Sequence, residues 1–74
     1  MSAQPLFTFD TTHMALWAEE VARESGIPAD VVPAPPGTRA RCGLAVATLA
    51  RFVDPLASAL SDAGVAYYRP PDTV

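Results

Sequence analysis

The chain has 74 residues, half of them apolar and 18% charged, which suits one small globular domain, 1–74, and leaves no room for a second. Eight acidic residues against five arginines and no lysine give a formal charge of -3, which excludes the basic face a general nucleic-acid binder needs. One cysteine excludes an internal disulfide, no apolar run is long enough to span a bilayer, and the opening Met1-Ser2-Ala3-Gln4-Pro5 lacks the pattern of a secretion signal, so the cytoplasm is the expected compartment.

A core this small gains from oligomerisation, which makes a homodimer an open expectation. The scaffold also offers little room for a formed cleft, so a carrier, binding or regulatory role comes ahead of an autonomous enzyme.

In chain order, Leu6-Phe7-Thr8-Phe9 follows a proline and reads as a short strand. Asp10, Thr11 and Thr12 then offer helix caps. From His13 to Ser25, the residues Met14, Trp17, Ala18, Val21 and Ala22 share one helical face, while Glu19, Glu20, Arg23 and Glu24 take the other. Leu16 falls among the charged residues on the outer face. Gly26 is placed to end this helix in the left-handed conformation, and Ile27-Pro28 prevents its continuation.

Ala29-Asp30-Val31-Val32-Pro33 reads as an edge strand, because proline cannot donate to a ladder on both sides. Pro33, Pro35, Pro36 and Gly37 follow as a stiff loop. Leu44-Ala45-Val46-Ala47 is a run of small apolar residues suited to a central strand buried on both faces. Leu49, Phe52, Val53, Leu56, Ala57, Leu60 and Ala63 keep helical spacing, with Asp54-Pro55 fitting a cap and first helical position and Leu49 to Val53 a separate turn. Gly64 ends that helix, and Val65-Ala66-Tyr67-Tyr68-Arg69 reads as a last strand stopped by Pro70 and Pro71. Alternation along it sends one tyrosine ring to the core and one to solvent.

The order strand, helix, strand, strand, helix, strand is that of an α+β domain of the ferredoxin-like, split β-α-β type (βαββαβ), with a core over about residues 6–69 and two helices on one face of a four-stranded, antiparallel-type sheet. The expected sheet sets the first and third strands side by side and parallel, with the other two at the edges.

Several segments together resemble a known family. They are Thr11-Thr12-His13-Met14-Ala15-Leu16 with Glu19 following, the Gly26-Ile27-Pro28 turn, the Pro33-Ala34-Pro35 loop and above all Cys42-Gly43-Leu44-Ala45. In order and spacing they resemble the small selenium/sulfur carrier protein-like domains, over about Leu6 to Arg69. The resemblance implies a stand-alone carrier whose cysteine holds sulfur as a persulfide or selenium as an adduct. Its implied partners are a donor enzyme such as a cysteine desulfurase and an acceptor protein, and its implied cofactors are none beyond the transient chalcogen on Cys42. Where the family has an arginine after the Pro-x-Pro pair this chain has Pro36, and Arg39 and Arg41 stand nearer the cysteine.

Cys42 is the one side chain able to do covalent chemistry at neutral pH, and nearby guanidinium groups favour its thiolate. A lone cysteine is more often a small buried apolar residue than a reactive one. Its place after a loop, together with the resemblance, favours the reactive reading, with Cys42, Gly43, Arg41 and Arg39 as the carrier site. Arg41 and Cys42 would point to opposite faces of a regular strand, so the loop must bend for Arg41 to help. In the expected parallel topology Cys42 lies at the sheet end where the first helix finishes. A five-residue strand of about 17 Å then separates it from His13 and from the helix N-terminus, so neither His13 nor the helix dipole acts on the thiol within one chain. One cysteine and one histidine cannot supply a structural zinc site. The competing reading, from a different class, is a small regulatory or interaction module that pairs through a sheet face or edge strand and whose cysteine is unreactive.

Overall fold

The computed structural model describes residues 4–34 and 43–69. Its elements are β1 (Leu6–Thr8), α1 (Thr12–Glu24), β2 (Ala29–Pro33), β3 (Leu44–Thr48), a 3-10 turn (Ala50–Phe52) and α2 (Val53–Ala63). The two helices lie on one face of a three-stranded sheet in the order β1-β3-β2.

Local chemistry accounts for the helix ends. The Thr11 hydroxyl accepts the Met14 amide at 3.1 Å and caps α1. At the other end Gly26, at φ +72°, lets Ile27 N–H reach Ala22 C=O at 2.8 Å and Gly26 N–H reach Arg23 C=O at 3.2 Å, the paired bonds of a Schellman motif. Gly64, at φ +86°, repeats the device for α2: Val65 N–H reaches Leu60 C=O at 2.9 Å and Gly64 N–H reaches Ser61 C=O at 3.2 Å. At the start of α2 the expected cap is corrected. The helix begins at Val53, so Asp54 and Pro55 are its second and third residues and no side chain caps it. Proline is tolerated there because the first-turn amides have no intrahelical partner.

β3 is the central strand, as its small apolar residues imply, and Ala45, Val46 and Ala47 are buried. Its direction corrects the expected topology, because β3 is antiparallel to both neighbours. Leu6, Phe7 and Thr8 pair with Ala47, Val46 and Ala45, and Ala29 through Pro33 pair with Thr48 through Leu44. The physical reason lies in the connections. A helix returning over the sheet makes β1 and β2 parallel, and the β2–β3 hairpin then reverses β3 against both.

The last strand is also corrected. What remains of it among the described residues is one bridge, in which Thr8 and Tyr68 exchange N–H···O=C bonds of 3.2 and 2.8 Å. Antiparallel pairs that share two bonds recur at every second residue, so the next would set Leu6 against Pro70, which has no N–H to give.

On the helix-facing side of the sheet, Phe7, Phe9 and Val46 pack with Ala15, Ala18, Val21, Ala22, Leu56, Leu60 and Val65. Leu6, Ala45 and Ala47 form a smaller cluster on the opposite face. Tyr67 rests on the main core, its ring centroid 5.6 Å from that of Phe7. Its hydroxyl donates to Ala57 C=O at 3.1 Å and stands 2.9 Å from the Ser61 hydroxyl. The Tyr68 hydroxyl donates to Asp10 at 2.8 Å in an exposed contact, and both tyrosines are half-buried, so neither ring is left wholly to solvent. Buried Thr48 donates to Pro28 C=O at 2.7 Å and ties the end of β3 to the start of β2.

Two consequences can be measured by thermal unfolding. Gly64→Ala has room for its methyl group but must hold a left-handed backbone, which costs about 1–2 kcal/mol. Each kcal/mol lowers the melting temperature of a domain this size by roughly 4–8 °C. Tyr67→Phe, which removes the hydroxyl bonded to α2 but keeps the ring on Phe7, is expected to cost about 1 kcal/mol.

Candidate functional site

Of the four residues expected to form the carrier site, Gly43 is described, and Arg39, Arg41 and Cys42 lie outside the described residues. So does most of the proline loop from Pro35 on. Gly43 is exposed, at φ +78°. A left-handed residue at this point requires glycine for steric reasons, which gives the Cys42-Gly43 pair a structural basis. Its carbonyl accepts the Ala34 amide at 2.9 Å and closes the hairpin that joins β2 to β3. Leu44, half-buried, then packs against the main core and starts β3.

The antiparallel direction of β3 decides what surrounds this point. Thr8 pairs with Ala45, so β1 ends, and α1 begins, at the same end of the sheet as Gly43. The Gly64 end of α2 follows antiparallel packing to that end as well, because Val65 leads directly to the Thr8–Tyr68 bridge. The separation expected between the start of β3 and the start of α1 is therefore overturned. His13 and the N-terminus of α1, expected at the opposite end, both stand at the sheet end where β3 begins.

The residues that the sequence reading missed at this end are those of the α1 start. Thr11 caps the helix, with its C=O accepting the Ala15 amide at 3.2 Å. Asp10 holds the Tyr68 hydroxyl, and no acidic residue occupies the first turn of α1. The positive end of the helix dipole is thus not neutralised by a carboxylate within that turn. The signal that could have found this grouping was the chain's own path, since a hairpin after a β-α-β unit must bring β3 back toward the start of the helix.

His13 is exposed at the start of α1, its ring centroid 6.1 Å from that of Trp17. His13, Leu16, Trp17 and Glu20 line a shallow groove on the outer side of the helix, and Leu16 is 51% exposed, as its place among charged residues implies. Among the described residues no group of three or more His, Cys, Asp or Glu side chains could hold a metal ion, and no helix is long and apolar enough to cross a membrane.

No curated protein matches the chain, and neither does a solved structure. A family profile described as "Putative Se/S carrier protein-like" matches residues 4–69. The match takes in both helices, all three strands and the Cys42-Gly43 pair that opens β3. By that match the chain belongs to the Se/S carrier protein-like family.

Proposed function

We infer that this protein carries sulfur or selenium on Cys42, receiving the atom from a donor enzyme such as a cysteine desulfurase and passing it to an acceptor protein. The observation that carries the reading is the family match over residues 4–69 in a chain whose single cysteine is Cys42. The atom resides on that thiol as a persulfide or its selenium equivalent, and the protein needs no resident cofactor. Its place of work is the cytoplasm.

Loading is an exchange without net oxidation. The Cys42 thiolate attacks the outer sulfur of a persulfide on the donor, a new sulfur–sulfur bond forms, and the donor's own bond breaks with its electron pair left on the donor cysteine as thiolate. Unloading repeats the step, with a nucleophile of the acceptor attacking the outer atom and Cys42 as leaving group. Both steps need a thiolate at Cys42. Arg39 and Arg41, two and one residues from it in sequence, supply positive charge, and Gly43 keeps the backbone entry to β3 open.

The N-terminus of α1 and the C-terminus of α2 share the sheet end with Gly43, so the two helix dipoles oppose each other there and the positive charge for the thiolate comes from Arg39 and Arg41. The ferredoxin-like description fits this arrangement if the Tyr68 segment is counted as a fourth strand beyond β1, giving the order 4-1-3-2. The protein has no turnover of its own in this account, since the chemistry is stoichiometric transfer through one thiol.

Intact-mass measurement after incubation with a cysteine desulfurase and cysteine, or selenocysteine, is expected to show one added sulfur or selenium atom per chain, removed by dithiothreitol and missing in Cys42→Ser. A wild-type chain that gains nothing, or a Cys42→Ser variant that gains the same mass, contradicts the reading. Alkylation of the thiol is expected to be fast near neutral pH, as for a cysteine whose pKa lies below the free value of about 8.5. Slow alkylation that rises only at alkaline pH would instead indicate an interaction module with an unreactive cysteine.

A further inference from the structure

We propose that two copies of this chain pair antiparallel through the outer edge of β2, about a two-fold axis at Val31, to form one continuous six-stranded sheet. The inference is independent of the carrier reading and begins from the ladder between β2 and β3. Ala34 N–H bonds Gly43 C=O at 2.9 Å, and Ala34 and Gly43 continue the register that pairs Pro33 with Leu44 and Val31 with Val46. Two-bond pairs alternate along an antiparallel ladder. Asp30, Val32 and Ala34 therefore spend their backbone groups on β3, and Ala29, Val31 and Pro33 turn theirs outward. The same alternation accounts for the Thr8–Tyr68 bridge on the opposite edge, where Thr8 turns outward from β1.

The outward row of β2 offers the amides of Ala29 and Val31 and the carbonyls of Ala29, Val31 and Pro33. The missing donor at Pro33 acts as a register filter. Centred on Val31, two copies exchange both Val31 N–H···O=C bonds, and each Ala29 amide donates to the opposing Pro33 carbonyl, four bonds in all on the ladder rules. Centred on Val32, half of these are lost, because Val31 then faces a residue that cannot donate. Centred on Asp30, four bonds also form, but two aspartates then face each other directly, which is destabilising. With Val31 at the centre, Asp30 faces Val32 of the other copy and the like charges stay apart.

The occupant is a second copy because the strand is self-complementary in this register, as a two-fold interface requires. The side chains agree with this. Val31 and Val32 are both half-buried on the free edge, one on each face of the sheet, and pairing covers both. The axis runs perpendicular to the sheet, so the helices of both copies share one face and the two Gly43 turns stand at opposite ends. Each carrier site is then separate, and the dimer does not depend on a disulfide between cysteines.

The experiment is sedimentation of the full chain under reducing conditions across a concentration series, with amide exchange followed by NMR. A reversible dimer is expected, with the Ala29 and Val31 amides slowing their exchange as the dimer forms while those of Asp30 and Val32 are protected throughout. Val31→Pro removes an outward-facing amide and trades the half-buried valine for proline while leaving every backbone bond to β3 in place, so the variant is expected to keep the wild-type circular dichroism spectrum and to raise the dimer dissociation constant by at least roughly tenfold. If that variant does not fold, the concentration dependence of the two outward amides decides the matter alone. A monomer at every concentration up to about 1 mM overturns the proposal. So does a dimer that leaves the Val31 amide unprotected, or one that a folded Val31→Pro variant keeps and Leu16→Glu on the α1 groove abolishes.

Discussion

The antiparallel insertion of β3 between β1 and β2 is the constraint on which the rest of the structure depends. Ala45, Val46 and Ala47 are buried on a strand that has partners on both sides. Val46 faces the helices and packs in the main core, while Ala45 and Ala47 lie on the opposite face. The same insertion makes β1 and β2 parallel, fixes α1 as the return path between them, and leaves β2 at the edge of the sheet among the described residues. It also brings the start of β3 to the end of the sheet where α1 begins.

Features governed by neighbouring residues were legible in the sequence. Gly26 and Gly64 end their helices in the left-handed conformation, Thr11 caps α1, and Ala29–Pro33 forms an edge strand with the bounds its proline implies. Leu44–Thr48 is central and buried because a run of small apolar residues has no solvent-facing side. Pairing direction was not legible from such patterns, since alternation and burial are the same in parallel and antiparallel strands. It required following the chain through its connections. The last strand is reduced to the Thr8–Tyr68 bridge among the described residues, although Val65–Arg69 has the composition of a strand. Asp54-Pro55 misled because proline is as well tolerated inside the first turn as at its opening.

For the candidate site, the sequence singled out Cys42, Gly43, Arg41 and Arg39; Gly43 takes a conformation suited to glycine, and the other three lie outside the described residues. The expected topology put the start of β3 at the wrong end of the sheet relative to α1. The correction changes the chemistry available to a thiol that enters β3 through Gly43. The N-terminus of α1, with no carboxylate in its first turn, favours a thiolate there, and the C-terminus of α2 at the same end opposes it. The proposed carrier role asks only for a thiol that accepts one atom and releases it, and needs no acid or base fixed around a substrate.

The native Cys42 permits a direct test, because a nitroxide label attached to the chain's single cysteine reports distance to backbone amides without any engineered site. Paramagnetic broadening is expected to be strongest for Asp10 to Met14 and for Gly64 and Val65, and weakest for Gly26, Ile27 and the Ala50–Phe52 turn at the far end of the sheet. The reverse pattern, with broadening centred on Gly26 and Ile27, would contradict the shared end of β3 and the start of α1.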